Sequence, residues 1–452
     1  MTKQKKKTAD TPSKKEKKEE HEPVDPDTGS STLSGETLGL LPNPFESKGI
    51  KFTLTYVADG LANLIGGLRR GAIYEGRLNA AIDLDLAKLV GAPGLTFHAN
   101  AFQSHGPRLS AQYIGNLMPV SSIEELATTR LYEAWFEQKF WNDKFSIRAG
   151  QLAADAEFIT AQYTDPFMGA TYGWPAITSL DLPSGGPSPP LAAMGTRIKA
   201  ILNDNITFLA GVFDGNAAGP GTDDPQSLDR YGINFRVNDP PFAISEVQYA
   251  YNQEKNSKGL PGTVKLGGWY HAGTFDDQRF AANGLSLASP LADGPAQLNS
   301  DYGVYAVFQQ MLYSFEGPHQ SERNIGMFAR ASASPEDQRN LVDFYADTGV
   351  AVSGAMASRP DDKFGIAFAY SHISSAARAL DQDYALFGVP RPLRDYEANI
   401  TAAYVAEVRK GWTVWPTIQY VINPGAGYVL DNGLAQAVKN AFVFGARTVI
   451  KF

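Results

Sequence analysis

Between Ile73 and Leu86 the side chains change character at almost every step. Tyr74, Leu78, Ala80, Ile82, Leu84 and Leu86 are apolar, with Gly76 among them. Glu75, Arg77, Asn79, Asp83 and Asp85 are polar, and Ile73 and Ala81 are the exceptions on that side. Successive side chains of a strand point to opposite faces, so a period of two specifies a β-strand with one apolar face and one wet face. A run of roughly fourteen residues is long beside the usual ~5–6 of a strand. It suits a tilted strand that crosses a bilayer and emerges on one side.

The pattern recurs in RLYEAWFEQKF at 130–140. Tyr132, Ala134, Phe136 and Phe140 fall on one face, with Gln138 as the exception; Leu131, Glu133, Trp135, Glu137 and Lys139 fall on the other. Two carboxylates beside a tryptophan fit the wall of a water-filled lumen better than the solvent side of a sandwich. In the last segment, AFVFGARTVIKF, Phe442, Phe444, Ala446, Thr448, Ile450 and Phe452 share one face. Val443, Gly445, Arg447, Val449 and Lys451 share the other. A strand ending on an outward aromatic resembles the signal read by the bacterial barrel-assembly machinery, with Phe444 and Phe452 as its aromatic positions. Such a strand must pair with the first one, because an open edge in lipid leaves backbone groups unsatisfied.

Composition permits this reading without requiring it. No stretch of about 20 mostly apolar residues is present, so a membrane-spanning helix is excluded. A barrel escapes that test because its lipid and lumen faces alternate, which dilutes the apolar signal by half. The 43 Gly and 20 Tyr fit such a wall, although a soluble propeller or solenoid gives similar totals. With no Cys there is no disulfide, thiolate metal site or Cys nucleophile, and the net charge of −8 argues against nucleic acid. The six His, at 21, 98, 105, 271, 319 and 372, have no metal-ligand spacing, so neither metal nor cofactor is expected. Glu133 and Glu137 lie about 13 Å apart along a strand, wider than the ~5–9.5 Å of glycosidase carboxylate pairs. GxSxG, HExxH, P-loop and dinucleotide motifs are absent, so the chain is not read as an enzyme.

Residues 1–48 form a separate unit. Their Lys/Glu-rich start and Pro/Asp/Ser/Gly-rich continuation bury little, so a disordered tail is expected. The basic start is followed by no apolar core, so no signal peptide is visible. A role for the basic blocks in anchoring the protein to the cell wall is a separate reading. Residues 49–452 are expected to form the barrel. At about 25 residues per strand with its loop share, they give about 16 strands, a size that leaves an aqueous channel.

At full length the chain resembles the carbohydrate-selective porins of Gram-negative bacteria, the OprB type. The resemblance rests on GIKFTLTYVADGLANLIGG at 49–67, GLTFHANAF at 94–102 and RLYEAWFEQKF at 130–140. It continues through FMGATYGWPAITSLDLPSGGPSPPLAAMGTRI at 167–198, LPGTVKLGGWYHAGTFDD at 260–277 and RPDDKFGIAFAYSHIS at 359–374. WPTIQYVINPG at 415–425 and NAFVFGARTVIKF at the end complete it. It implies an all-β, 16-stranded antiparallel transmembrane barrel with long extracellular loops, monomeric or homotrimeric, in the outer membrane. Such a barrel passes sugars by diffusion. The chain departs from the pattern at Phe308, Gln309 and Thr401, where acidic residues are expected, which thins the acidic lining.

Sugar passage needs side chains that exchange hydrogen bonds with hydroxyls and aromatic faces that stack on rings, with weak affinity throughout. By pattern the substrate path includes Glu75, Arg77, Glu133, Trp135, Glu137, Arg148, Arg197 and Lys199, with Asp83 and Asp85 as wall solvators. Trp174 begins a Gly/Pro-rich loop to Pro190 that is placed to fold inward as a constriction. Arg77, Glu133 and Trp174 lead the set. Trp269, Tyr270, Trp412, Trp415 and Tyr420 are assigned to the interface girdles. The competing reading is a general or anion-preferring porin, in which Arg77, Arg148, Arg197, Lys199, Arg330 and Arg359 favour small organic acids.

Overall fold

The computed structural model describes residues 37–452 apart from 255–256, 317–321 and 432–433. The first half of the wall contains β1 (Ile50–Gly67), β2 (Gly71–Asp85), β3 (Leu95–His105), β4 (Thr128–Phe140), β5 (Phe145–Leu152), β6 (Ala193–Ile201), β7 (Ile206–Phe213) and β8 (Phe242–Tyr251). The second half contains β9 (Gly262–Ala281), β10 (Pro295–Ser314), β11 (Asn324–Ala333), β12 (Val342–Ser353), β13 (Lys363–Ile373), β14 (Tyr396–Arg409) and β15 (Trp412–Ile422). A small separate hairpin, β16 (Tyr428–Asp431) and β17 (Leu434–Ala437), precedes the last wall strand, β18 (Lys439–Lys451). Sixteen strands thus close into one antiparallel barrel in which each pairs with its neighbour in order and β18 returns to β1.

Up-and-down pairing puts Ile50 and Lys451 at the same rim. The connections at that rim, 86–94, 141–144, 202–205, 252–261, 315–323, 354–362 and 410–411, are all short. The opposite rim carries the long loops 106–127, 153–192, 214–241, 282–294, 374–395 and 423–438, with short connections at 68–70 and 334–341. Short turns face the periplasm and long loops the exterior in barrels of this kind, which orients the molecule. The charged segment at 1–36 lies outside the described residues. Residues 37–48, grouped with it on composition, instead pack against the periplasmic rim. The Leu38 amide donates to Lys451 O at 2.8 Å, and Asn43 brackets Phe52 by accepting from its N–H (2.7 Å) and donating to its carbonyl (3.0 Å).

The alternation in β2 and β18 translates directly into facing. Glu75, Arg77 and Asn79 are buried on the lumen side, while Tyr74 and Phe444 are exposed on the outer side. In β4 the alternation breaks. Asn100 pairs with Glu133 but Ala101 pairs with Leu131, so Tyr132 is an extra residue on the bulged strand. Beyond the bulge the parity reverses. Tyr132 turns inward, is 1% exposed and stacks on Phe102 at 4.4 Å, contrary to the uninterrupted pattern expected from sequence.

Facing also corrects the girdle. Tyr270 and Tyr420 are exposed on the outside, but Trp269 and Trp415 are buried inside. Adjacent residues of a strand, and residues three apart such as Trp412 and Trp415, necessarily lie on opposite faces. Phe308 is on the lipid face, so the lining position there is Gln309, whose side-chain carbonyl accepts from the Gln162 amide of the loop 153–192 at 2.7 Å.

The barrel closes on an ion pair. Asp59 of β1 stands directly opposite Arg447 of β18, and the guanidinium donates two bonds of 2.8 Å to its carboxylate. Both are sealed from solvent, and Ser121 Oγ adds a bond of 2.6 Å to Asp59. Removing one partner of a buried pair leaves an uncompensated charge, at a cost of ~3–5 kcal/mol. Arg447→Met is expected to lower resistance to denaturation by about that amount, read as earlier loss of the compact, fast-migrating band on heating in detergent. Asp59→Asn combined with Arg447→Met is expected to recover part of the loss.

Candidate functional site: the lumen and its two inward loops

Two exterior loops fold back into the lumen and reach much of its wall. Loop 106–127 reaches β14, where Glu397 accepts from the Leu117 and Met118 amides at 2.7 Å each. It also touches β15, where Gln419 donates to Val120 O at 2.7 Å, and β18, where Arg447 donates to Ser122 Oγ at 3.1 Å. Loop 153–192 contacts the wall from β5 to β14. Its Ile159 amide donates to Glu246 at 3.0 Å, Lys265 donates to Thr160 O at 2.7 Å, and Asp165 pairs with Lys363 at 3.3 Å. The Asp181 carboxylate accepts from the Leu341 amide at 2.9 Å; burial raises its pKa well above the ordinary carboxylate range. The two loops meet where the Ala170 amide donates to Pro119 O and Ser122 N donates to Met168 O.

Arg330 is the principal anchor. Its guanidinium donates to the carbonyls of Ile159 (3.0 Å), Thr171 (2.9 Å) and Gly173 (3.1 Å), while Asp347 on the neighbouring strand accepts from Nε at 3.0 Å. Phe167 and Tyr172 pack beside it against Phe328. In the sequence Arg330 stands out only as one cation among six. Its five donors in a fixed fork suit it to gathering several carbonyls and one carboxylate.

The residues that lead the sequence-based set are sealed. Arg77, 2% exposed, donates to Glu125 at 2.9 Å and lies 4.3 Å from the centroid of the Phe102 ring. Glu133, 1% exposed, accepts from the Ala153 amide at 2.9 Å, where loop 153–192 begins. Trp174, 5% exposed, donates its indole N–H to Gly185 O at 3.0 Å within that loop. Glu75 is buried directly opposite Asp59. All four offer almost no surface to a solute.

The others converge. Glu137, Arg148, Arg197 and Lys199 lie on the lumen face of β4, β5 and β6, and Glu157 from loop 153–192 joins them. Arg148 pairs with Glu157 at 3.0 Å and Glu137 at 3.4 Å; Arg197 pairs with Glu157 at 2.7 Å and Glu137 at 2.9 Å. Two guanidiniums and two carboxylates thus neutralise one another. Trp135 is clasped between the His98 ring, at 5.0 Å between centroids, and the Arg148 guanidinium at 3.8 Å. Lys199 is half-buried and has no ion-pair partner among the described residues. At the periplasmic mouth a cavity of about 330 Å³ is lined by Lys51, Asp83, Asp85, Lys88, Thr96 and Trp135. That volume is at the lower end of the ~300–1,000 Å³ usual for small-molecule sites.

A transmembrane barrel of sixteen strands narrowed by inward loops defines a diffusion porin of the outer membrane. The chain belongs to the carbohydrate-selective porin, OprB family, whose family model matches residues 69–452. It is 24% identical over 421 residues to Porin B of Pseudomonas aeruginosa, covering 88% of each chain. Among solved structures it is similar to Pseudomonas putida OprB at high pH, with TM-score 0.78 and 24% identity over 90% of this chain and 95% of that one. The low-pH structure of the same protein matches with TM-score 0.53 and 18% identity, covering 90% and 94%.

Two measurements test how the loops are held. Arg330→Met removes three carbonyl bonds from loop 153–192; single-channel recordings are expected to show a larger, noisier conductance than the wild type. In loop 106–127, Glu124 accepts from the Ser110 amide (2.8 Å) and hydroxyl (2.7 Å). Burial, reinforced by nearby Asp59 and partly countered by the Ser110 bonds, raises its pKa from 4.5 to about 7. The folded state therefore holds a proton that the unfolded chain has released. This contribution to stability is full below the unfolded value and is lost as pH rises through the folded one. Wild-type stability in denaturant is expected to fall between about pH 5 and pH 8 relative to Glu124→Gln, which carries no proton to lose.

Proposed function

We propose that neutral sugars diffuse along a path bounded by the Glu137–Arg148–Glu157–Arg197 cluster, Lys199 and the periplasmic cavity at Asp83 and Thr96. The carrying observation is that every cation in the anion-preferring reading except Lys199 is already paired. Arg77 is bound to Glu125, Arg148 and Arg197 to Glu137 and Glu157, Arg330 to Asp347, and Arg359 to Asp362. Paired charges present hydrogen-bonding edges with little net field, which suits hydroxyl-rich, uncharged solutes that must bind weakly and leave. Passage is passive and involves no chemistry on the solute.

Glu157→Gln removes one carboxylate from between two guanidiniums. Under a salt gradient the reversal potential is expected to shift toward anion preference, and block of the current by glucose or maltose is expected to weaken. An unchanged potential with unchanged sugar block places the filter elsewhere. The outward Phe452 and Phe444 we assign to recognition by the barrel-assembly machinery. Phe452→Ser is expected to reduce assembly in cells several-fold while purified protein still refolds in detergent.

A further inference from the structure

The wall has a low side. β5, β6 and β7 contain 8, 9 and 8 residues, against 20 each in β9 and β10. A tilted strand needs about 9–11 residues to cross the hydrocarbon. On this side β4 also outruns its neighbour. Pairing with β5 begins at Ala134 opposite Gln151, so the stretch 128–133 has no strand partner on that edge. Unpaired backbone at membrane depth costs several kcal/mol per group.

Loop 214–241 fills the gap. The Leu131 amide donates to Tyr231 O at 3.0 Å, and Thr128 Oγ1 donates to Arg230 O at 3.1 Å. The side-chain amide of Gln151 bridges the two segments by donating to Tyr132 O (2.7 Å) and Gly232 O (3.1 Å). Approach is so close that a Cβ on Gly232, whose φ is +67°, would lie 1.9 Å from Leu131 O. Leu131 is on the outer face of β4, so the segment sits level with the lipid-facing wall.

From this contact the chain runs on as YGINFRV. Tyr231, Ile233, Phe235 and Val237 alternate and are each 48–70% exposed. Between them Gly232 is buried, Asn234 is exposed and donates to Leu228 O at 3.4 Å, and Arg236 is locked to Asp239 by bonds of 2.8 and 3.0 Å. A water-facing loop has no reason to present four large apolar side chains within seven residues, and an exposed apolar patch marks an interaction surface. On the outer face of the wall, Phe136 of β4, Ile147 of β5 and Val212 of β7 are likewise exposed.

We propose that Tyr231–Val237 is part of the lipid-facing wall: it restores the apolar band above the short strands and contacts acyl chains of the outer leaflet. Because the chain has no Cys, single cysteines carrying an environment-sensitive fluorophore report each position alone. The probes are Ile233→Cys and Val237→Cys, with Val212→Cys on β7 and Leu291→Cys on loop 282–294 as references. They are reconstituted in phosphatidylcholine vesicles with or without nitroxide-labelled acyl chains, after the heat-modifiable band has confirmed folding. Emission at 233 and 237 is expected to be blue-shifted and quenched as strongly as at 212, with 291 unquenched. Water-like, unquenched emission at both positions overturns the proposal. So does unquenched emission accompanied by cross-linking of the same cysteine between two copies, which makes the segment a subunit interface. If one variant does not fold, the other carries the same comparison.

Discussion

Everything in this molecule depends on leaving no strand edge open. Hydrocarbon offers no hydrogen bonds to exposed backbone, so a sheet in a membrane either closes or pairs its edge with something else. Closure is made between β1 and β18, and the Asp59–Arg447 pair fixes which residues of those strands meet. A slip of one residue would turn Arg447 toward lipid and bring outward residues such as Phe444 and Ala446 toward the lumen. The same ion pair holds Ser121 and Ser122 of loop 106–127, so the bond that sets the seam also pins part of the constriction.

The lumen is built by the same economy of pairing. Arginines project from the wall, and carboxylates or carbonyls from the inward loops and adjacent strands meet them. Arg330 gathers three loop carbonyls, Arg77 takes Glu125, and Arg148 with Arg197 shares Glu137 and Glu157. Charges of both signs therefore line the passage while much of its field cancels locally. A corridor of this kind offers donors and acceptors to hydroxyls without strongly attracting ions of one sign.

The wall is largely legible in the sequence because strand facing follows from counting by twos. That rule orients β2 and β18 correctly and places Glu137, Arg148, Arg197 and Lys199 on the lumen side. It fails in β4, where a bulge adds one residue without any Gly or Pro to announce it. It also cannot tell a lumen residue that touches solute from one sealed under a loop, which is why Arg77, Glu133 and Trp174 lead the set yet are buried. Burial there is decided by loops 106–127 and 153–192, whose irregular backbone has no period to read. Glu157, Glu125, Glu397 and Gln419 escape sequence reading for the same reason: their partners are far away in sequence and adjacent only after folding.

The anchors of loop 106–127 have a bearing on the order of assembly. The loop lies in the first third of the chain, but Glu397, Gln419 and Arg447, which hold it, are on the last three wall strands. Its docking therefore has to await those strands. Until then a nascent barrel lacks part of its constriction, so a half-built protein would be a wider hole than the finished one. The final strand thus completes the wall and the narrowing together, and selectivity arrives with the last residues to be placed.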